Sequence, residues 1–201
     1  MLTPLTTICN AIARNVAPRK CLPSGGVKAR CWIGQVADRT GAYTYKTNGA
    51  LSSFVLASGA IFIKAVGRAK KGSGNSKLAK GEEGGVSNEQ SVVVEIAYGT
   101  QHEADAIMDI LRAEAKFVLL ETSAGTIRGY FWQDGDLTME AEEGTGTVKA
   151  DASGVLKITL KGTEDDLPIF FEAVNSNSAI PQLQASINYL DGLVNGADVT
   201  D

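Results

Sequence analysis

The sequence predicts a mainly β protein with flanking helices: antiparallel strands with one packed helix, plus amphipathic helices at both termini. The chain has 22 glycines but only 5 prolines, and its Val, Ile, Thr and aromatic residues fall in short runs, a pattern typical of strands joined by tight turns. A helix-start signal interrupts these runs near residue 100. With 201 residues and 44% apolar content, the chain can bury one sizeable core, with or without an appendage.

The two ends of the chain predict amphipathic helices over residues 3–17 and 181–194, because both segments repeat apolar positions at helical spacing. The apolar stripes consist of Leu5, Ile8, Cys9, Ile12 and Val16 in the first segment and of Leu183, Ile187, Leu190 and Val194 in the second. Pro18 ends the first helix, and a basic, turn-rich connector follows. We therefore divide the chain into a helix with its connector (1–26), a β-rich domain (27–172) and a helix with a tail (173–201).

Strand-like alternation begins at Val27. Residues 50–57 and 60–66 are two further apolar runs, and the short connection through Ser58 and Gly59 predicts a hairpin. Residues 67–90 contain almost no large apolar side chain. This stretch cannot bury enough surface to offset the entropy lost on ordering, which predicts a long flexible loop.

The centre of the chain combines a strand with a helix. The β-branched run Ser91–Tyr98 predicts a strand. Thr100 and Glu103 then have the spacing of a capping box, so a helix is predicted from Gln101 to Ala115, with one apolar face packed on a sheet.

The second half of the chain predicts the remaining strands. We expect residues 117–122 and 126–133 to form a hairpin that turns at residues 124–125, followed by acidic, Gly-rich turns over residues 134–147. Residues 148–161 are predicted to include a strand with alternating apolar and polar side chains, and residues 167–171 are predicted to end the sheet.

No motif predicts catalysis, a cofactor or a metal site. GSGNSK at residues 72–77 lacks the spacing of a phosphate-binding loop, and the single histidine, His102, belongs to the helix-start signal. The three cysteines lie in the first 31 residues at spacings that match neither zinc pairs nor an even-numbered disulfide framework. The one enzyme hypothesis that the sequence still allows is a hydrolase that uses a pair of carboxylates, such as Asp165 with Asp166.

The sequence also predicts no membrane partner. It has no uninterrupted apolar run of the length that spans a bilayer, and its N-terminus lacks the regions of a signal peptide. We therefore expect a soluble protein that is not exported.

Charge is divided unevenly along the chain. Residues 1–80 carry thirteen Lys/Arg and one acid, whereas residues 81–201 carry six Lys/Arg and twenty-two acids, giving +12 and −16. Opposed charged faces allow head-to-tail self-assembly, because a heterologous interface repeats until it closes or forms a filament. Contact between the basic half and nucleic acid, or charges that simply decorate exposed loops, are the alternatives.

The order of the elements resembles the tail tube proteins of tailed bacteriophages. The shared features are an antiparallel meander, a long polar loop between Val66 and Ser91, a strand, the capped helix and further hairpins, over about residues 27–172. The resemblance implies an antiparallel β-sandwich or partial barrel with one packed helix. It also implies a non-enzymatic virion subunit that forms hexameric rings, stacks ring on ring through its long loop, and pairs its strands with those of its neighbours in a closed inner barrel.

The same resemblance implies partners and location. The partners are further copies of the chain, other phage tail or neck proteins, and DNA in transient passage. The protein would reside in the tail or neck of the virion after assembly in the host cytoplasm. The predicted helices at the two ends of the chain are not part of the tail tube pattern, so a head-tail connector or neck ring protein is an alternative. A nucleic-acid-binding accessory protein is a further alternative, because Trp32, Tyr43 and Tyr45 lie among basic residues.

The predicted inter-subunit contacts join a basic loop of one copy to acidic turns of another. They are Arg68, Lys70, Lys71, Lys77 and Lys80 on the loop, and Glu142, Glu143, Asp165 and Asp166 on the turns.

Overall fold

The structure is a computed structural model that describes residues 27–41, 43–66, 72–80, 86–98, 100–145 and 154–194. The strands are β1 (Val27–Gln35), β2 (Thr44–Tyr45), β3 (Leu51–Ser53), β4 (Phe62–Val66), β5 (Ser73–Lys80), β6 (Val86–Tyr98), β7 (Lys116–Thr122), β8 (Ile127–Tyr130), β9 (Thr138–Thr145), β10 (Gly154–Glu164) and β11 (Ile169–Phe171). The helices are α1 (Gln101–Arg112) and α2 (Gln182–Val194), and a short 3-10 helix spans Val36–Asp38.

The strands form two sheets. The large sheet has the order β2-β3-β11-β8-β7-β1-β4, and the small sheet has the order β5-β6-β10-β9. All pairings are antiparallel except that of β11 with β3. The predicted fold class, a mainly β sandwich with a packed helix and a C-terminal helix, is confirmed.

The large sheet is buried on both faces because its central strands alternate two apolar sets. On β7, Val118 and Leu120 face one core while Phe117 and Leu119 face the other. The first core lies between the two sheets and includes Ile107, Ile110 and Leu111 of α1. The second core lies on the opposite face and is covered by α2. Burial of these side chains is the main stabilising contribution, at roughly 25 cal/mol per Å² of apolar surface.

The second core is dominated by aromatic rings. Phe54 is fully buried. The centre of its ring lies within 6.2 Å of the ring centres of Phe62, Phe117, Trp132, Phe171 and Tyr189. Ile187 and Leu190 of α2 close this core from outside. The C-terminal helix predicted from its apolar stripe is thus part of the packed structure.

The capping box at α1 is confirmed. The Thr100 hydroxyl accepts a hydrogen bond from the Glu103 backbone N–H at 3.3 Å, and the Glu103 carboxylate accepts one from the Thr100 N–H at 3.1 Å. The helix ends at Arg112, three residues before the predicted end. The predicted hairpin of β7 with β8 is also confirmed, and Gly125 has the positive φ of 75° that its turn requires.

The hairpin predicted between residues 50–57 and 60–66 is wrong. The turn exists, since the Ala60 N–H donates to the Ala57 carbonyl at 3.0 Å. However, β3 pairs with β2 and β11, whereas β4 pairs with β1 near the other edge of the large sheet. The chain between β3 and β4 crosses the face of the sheet because Phe54 is buried beneath it.

The flexible loop predicted over residues 67–90 is wrong for most of its length. Ser73–Lys80 forms β5 and pairs along its whole length with β6, which begins at Val86. The small residues of β5 allow close packing: a Cβ at Gly74 would lie 2.6 Å from the Tyr130 ring. Residues 67–71 and 81–85 lie outside the described residues, as does the predicted N-terminal helix.

The acidic turns predicted over residues 134–147 are replaced in part by a strand. Residues 138–145 form β9, which pairs with β10. Glu140 and Glu142 lie two residues apart on this strand, and Glu143 follows directly, so the high acidic content obscured the strand pattern.

Candidate functional site

Within the part of the chain that the structure describes, the small sheet has two open edges. Among the described strands, none pairs with the outer edge of β5 or of β9. Both edge strands have eight residues. A strand edge presents unpaired N–H and C=O groups, which makes it a template for pairing with another chain.

The two open edges carry opposite charge. The β5 sequence SGNSKLAK contains Lys77 and Lys80 and no acid, a formal +2. The β9 sequence TMEAEEGT contains three glutamates and no basic residue, a formal −3. Contact between two copies of the same edge is disfavoured by like charge, whereas contact between β5 and β9 is favoured.

Apolar side chains are exposed beside both edges. Leu78 of β5 and Val86 of β6 are 57% and 55% exposed, and Leu137, just before β9, is 68% exposed. Met139 of β9 is also exposed. An isolated exposed leucine needs no explanation, but grouping at both edges of one sheet favours contact with a partner.

The outer face of the small sheet is polar, with alternating charge. Lys77 Nζ lies 3.8 Å from Glu89 Oε2, and Lys161 Nζ lies 3.8 Å from Glu140 Oε1. Lys157 of β10 lies opposite Glu95 of β6 in the register. The described outward positions of this face thus present acids and lysines side by side, without a run of either sign.

A buried polar cluster fixes β6 to the turns at the end of the sandwich. Asn88 Nδ2 donates to the Asp166 carbonyl at 2.6 Å, and Gln90 Oε1 accepts from the Phe131 N–H at 2.8 Å. Phe131 has a φ of 56°, which is unusual for a residue other than glycine. Gln90 therefore stabilises a turn that the local sequence disfavours.

Glu164 is the ionisable member of this cluster and is 3% exposed. Its carboxylate accepts from the Gln133 N–H at 2.7 Å, the Asp134 N–H at 3.3 Å and Gln90 Nε2 at 3.2 Å. Burial raises the pKa of Glu164, and the backbone donors oppose that effect without cancelling it.

A cleft of about 670 Å³ lies next to this cluster. Its lining residues include Tyr43, Tyr45, Trp132, Asp165, Asp166 and Leu167. Trp132 is buried, Tyr43 and Tyr45 are 37% and 51% exposed, and the two aspartates are exposed. We call it the aromatic–acidic cleft.

Arg39 forms one wall of the aromatic–acidic cleft and is held by the protein itself. Its guanidinium lies 4.3 Å from the centre of the Trp132 ring and donates to the carbonyls of Val36, Trp132 and Gln133. Burial lowers the pKa of Arg39. Because its N–H groups donate to backbone carbonyls, the side chain of Arg39 is held in place as part of the cleft wall.

The structure separates the predicted contact residues into two sets. Lys77 and Lys80 lie on β5, and Glu142 and Glu143 lie on β9, at opposite edges of the small sheet rather than on a loop and a turn. Asp165 and Asp166 lie after β10, beside the cleft. Arg68, Lys70 and Lys71 lie outside the described residues.

Sequence reasoning missed the cleft as a site. Tyr43 and Tyr45 were noted only as aromatic residues among basic ones, and Trp132 only as part of a strand. No local signal could have joined them, because the cleft brings together three segments that are far apart in the chain, at residues 39–49, 132–133 and 164–169. The proximity of Arg39 to Trp132 arises only when β1 and β8 end on the same side of the large sheet.

Within the described residues, no group of three or more His, Cys, Asp and Glu side chains is arranged to hold a metal ion. Cys31 is buried, and burial raises the pKa of its thiol to about 12. It is therefore protonated at neutral pH and is not a nucleophile. Neither described helix is long and apolar enough to cross a membrane.

Comparison with protein-family models, with curated proteins and with solved structures finds no match to this chain.

Proposed function

We propose that this protein is a self-assembling structural subunit of a bacteriophage tail, a tail tube or tail-ring protein whose small sheets join edge to edge into a closed cylinder that conducts DNA. The observation that supports this most is the pair of open edges, equal in length and opposite in charge, on a sheet with one buried and one polar face.

Strand direction favours closure into a ring. The small sheet has four strands, all antiparallel to their neighbours, so its two edge strands run in opposite directions. Copies related by rotation about an axis along the strands would therefore place β9 of one copy antiparallel to β5 of the next. Closure removes the exposed edges.

The polar face supports the role of conduit. In a closed cylinder it would line the lumen, with Lys77, Lys157 and Lys161 next to glutamates. A surface of alternating sign neither holds the DNA backbone through many phosphate contacts nor repels it over a long stretch.

The test reverses the charge of each edge. Lys77→Glu with Lys80→Glu makes the β5 edge acidic, and Glu140→Lys with Glu142→Lys makes the β9 edge basic. Each pair alone should abolish rings, because both edges then carry the same sign, and the four changes together should restore them. Negative-stain electron microscopy and mass photometry read the outcome.

The matched control for the β9 reversal is Asp105→Lys with Glu114→Lys, which makes the same charge change at exposed positions in and just after α1. It should leave the rings intact. Rings that survive either edge reversal, or that the combined reversal fails to restore, would contradict the proposal. Rings that form but never stack would favour the neck-ring alternative.

A further inference from the structure

We infer that the aromatic–acidic cleft binds lysine or arginine side chains of residues 67–71 from a second copy of the chain, and thereby stacks copies along the axis of the assembly. This inference rests on the proposed function for its setting, since stacking follows ring formation, but the binding event itself does not require a ring.

The chemistry of the cleft matches an organic cation with an apolar stem. Tyr43 and Tyr45 offer partly exposed rings, and an aromatic face attracts ammonium and guanidinium groups. Asp165 and Asp166 supply carboxylates at the rim; within the described chain, neither carboxylate forms an ion pair, although Asp166 Oδ2 accepts from Gln133 Nε2 at 2.7 Å. Arg39 lines the same cleft, and its guanidinium already lies 5.7 Å from the centre of the Tyr43 ring, so the Tyr45 ring and the two exposed carboxylates are the main groups left for an incoming cation.

Residues 67–71, Gly-Arg-Ala-Lys-Lys, have the complementary composition, with three cations and no acid in five residues. They join Val66 at the end of β4 to Gly72 just before β5. Charged groups brought together at a partly buried aromatic site interact more strongly than a pair on an open surface.

The occupant must come from another copy because of the register of the large sheet. The cleft lies at the end where β1 stops at Gln35, whereas Val66 pairs with Arg30, five residues back along β1, or about 17 Å away along the strand. Four strand spacings, about 19 Å, also separate β4 from β11, which borders the cleft. Five residues tethered at both ends extend about 11 Å from their anchors and an extended Lys or Arg side chain adds about 6 Å, whereas the two perpendicular offsets combine to about 25 Å.

The second anchor leads to the same conclusion. Ser76 Oγ donates to Asn88 Oδ1, which places Ser76 near the Asp166 turn. Gly72 lies four residues before Ser76 on an extended strand, about 13 Å farther from that turn. The cleft and the two anchors of the basic segment, Val66 and Gly72, thus lie apart on each copy, the arrangement that a head-to-tail interface needs.

The test measures binding of a fluorescently labelled peptide with the sequence of residues 65–72. The receptor is the full-length chain carrying Lys77→Glu and Lys80→Glu, which keeps it from forming rings. We expect saturable binding by fluorescence anisotropy, at least a tenfold loss with Asp165→Asn or Tyr45→Ala in the receptor, and no binding of a peptide whose Arg and Lys residues are replaced by Gln.

Asp105→Asn in α1 is the matched control and should leave the affinity unchanged. Peptide binding that is absent up to millimolar concentration, or that is unaffected by both Asp165→Asn and Tyr45→Ala, would overturn the inference. Binding in the absence of any wild-type ring would support the cleft while removing the proposed function. Conversely, Asp165→Asn in the otherwise native chain should leave single rings and shorten stacks, and stacks of unchanged length would count against the cleft.

Discussion

Glu164 is a single buried polar side chain that joins two parts of the fold. Its carboxylate accepts three hydrogen bonds, from the turn after β8 and from Gln90 of β6. The cluster therefore connects the small sheet to the turn that carries Trp132. Such a group is costly to bury as a charge, and its three hydrogen-bond donors offset part of that cost.

The raised pKa of Glu164 predicts a pH-dependent contribution to stability. Because the pKa in the folded state exceeds the ordinary value of 4.5, the folded chain binds the proton more tightly than the unfolded chain does. The contribution is fully present below 4.5 and is lost as pH rises through the folded pKa. The free energy of unfolding of wild type minus that of Glu164→Gln should therefore fall over this window, since glutamine does not titrate.

Urea unfolding of both proteins between pH 4 and pH 8 checks this prediction. Glu89→Gln, at an exposed carboxylate on the same strand as Gln90, is the control and should show no comparable trend. A difference between wild type and Glu164→Gln that stays constant or grows with pH would show that the carboxylate is not destabilised by its burial.

At the scale of elements, the connection from the large sheet to the small sheet depends on a buried ion pair. Lys116, at the start of β7, and Asp136, just before β9, have side chains that are 3% and 2% exposed, with Nζ and Oδ1 3.4 Å apart. Asp136 Oδ1 also accepts from the Lys116 N–H at 2.7 Å. The pair fixes the path of the chain between the two sheets.

We expect Asp136→Asn to lower the free energy of unfolding by about 3–5 kcal/mol, because it leaves a buried ammonium without its counter-charge. Adding Lys116→Met should recover at least half of the loss, since the second change removes that charge while keeping a similar shape. Urea unfolding at pH 7 measures both.

The comparison is Asp109→Asn, which breaks the exposed pair with Arg112 and should cost less than about 1 kcal/mol. If the double variant were no more stable than Asp136→Asn alone, desolvation of the lysine would not be the cause of the loss.

The strand β5 marks the limit of element prediction from composition. Its Gly, Ser, Asn and Lys residues indicate a loop, yet β6 pairs with it along its whole length. Gly74 of β5 lies so close to the Tyr130 ring that no side chain would fit there. A deletion of residues 70–85 would therefore remove a strand of the small sheet, so loss of assembly in such a variant would not distinguish a lost contact from a damaged fold.

At the scale of the whole molecule, part of the charge division along the sequence is neutralised within one copy, where Arg30 pairs with Glu121, Lys46 with Glu172 and Lys64 with Asp191, and part of it remains on the two edges of the small sheet. The edge with Lys77 and Lys80 and the edge with the β9 glutamates are separated by two intervening strands. The basic β5 edge and the acidic β9 edge of one copy therefore cannot meet each other and can pair only with the edges of another copy.

Assembly through charged edges should weaken with salt. Screening shortens the range of exposed charge interactions to about 10 Å at 0.1 M and about 3 Å at 1 M ionic strength. We expect the fraction of protein in rings or tubes to fall as sodium chloride is raised from low to molar concentration, measured by mass photometry with negative-stain microscopy. A monodisperse monomer at every salt and protein concentration would contradict self-assembly.

The sequence alone determined the features that depend on neighbouring residues. The β-rich fold class, the capped helix α1, the apolar stripe of α2 and the hairpin of β7 with β8 follow from caps, turns and periodicity, which act over a few residues. Even the opposite charge of the two halves could be counted directly.

Only the tertiary structure decided which strands pair and which side chains meet. β3 and β4 lie far apart because β3 pairs with β2 and β11 whereas β4 pairs with β1. β5 forms because β6 supplies its partner, and the cleft exists because Tyr45, Trp132 and Asp165 come from three distant segments. These outcomes depend on contacts between residues far apart in the chain, and no local pattern encodes which distant partner will supply the missing hydrogen bonds and apolar surface.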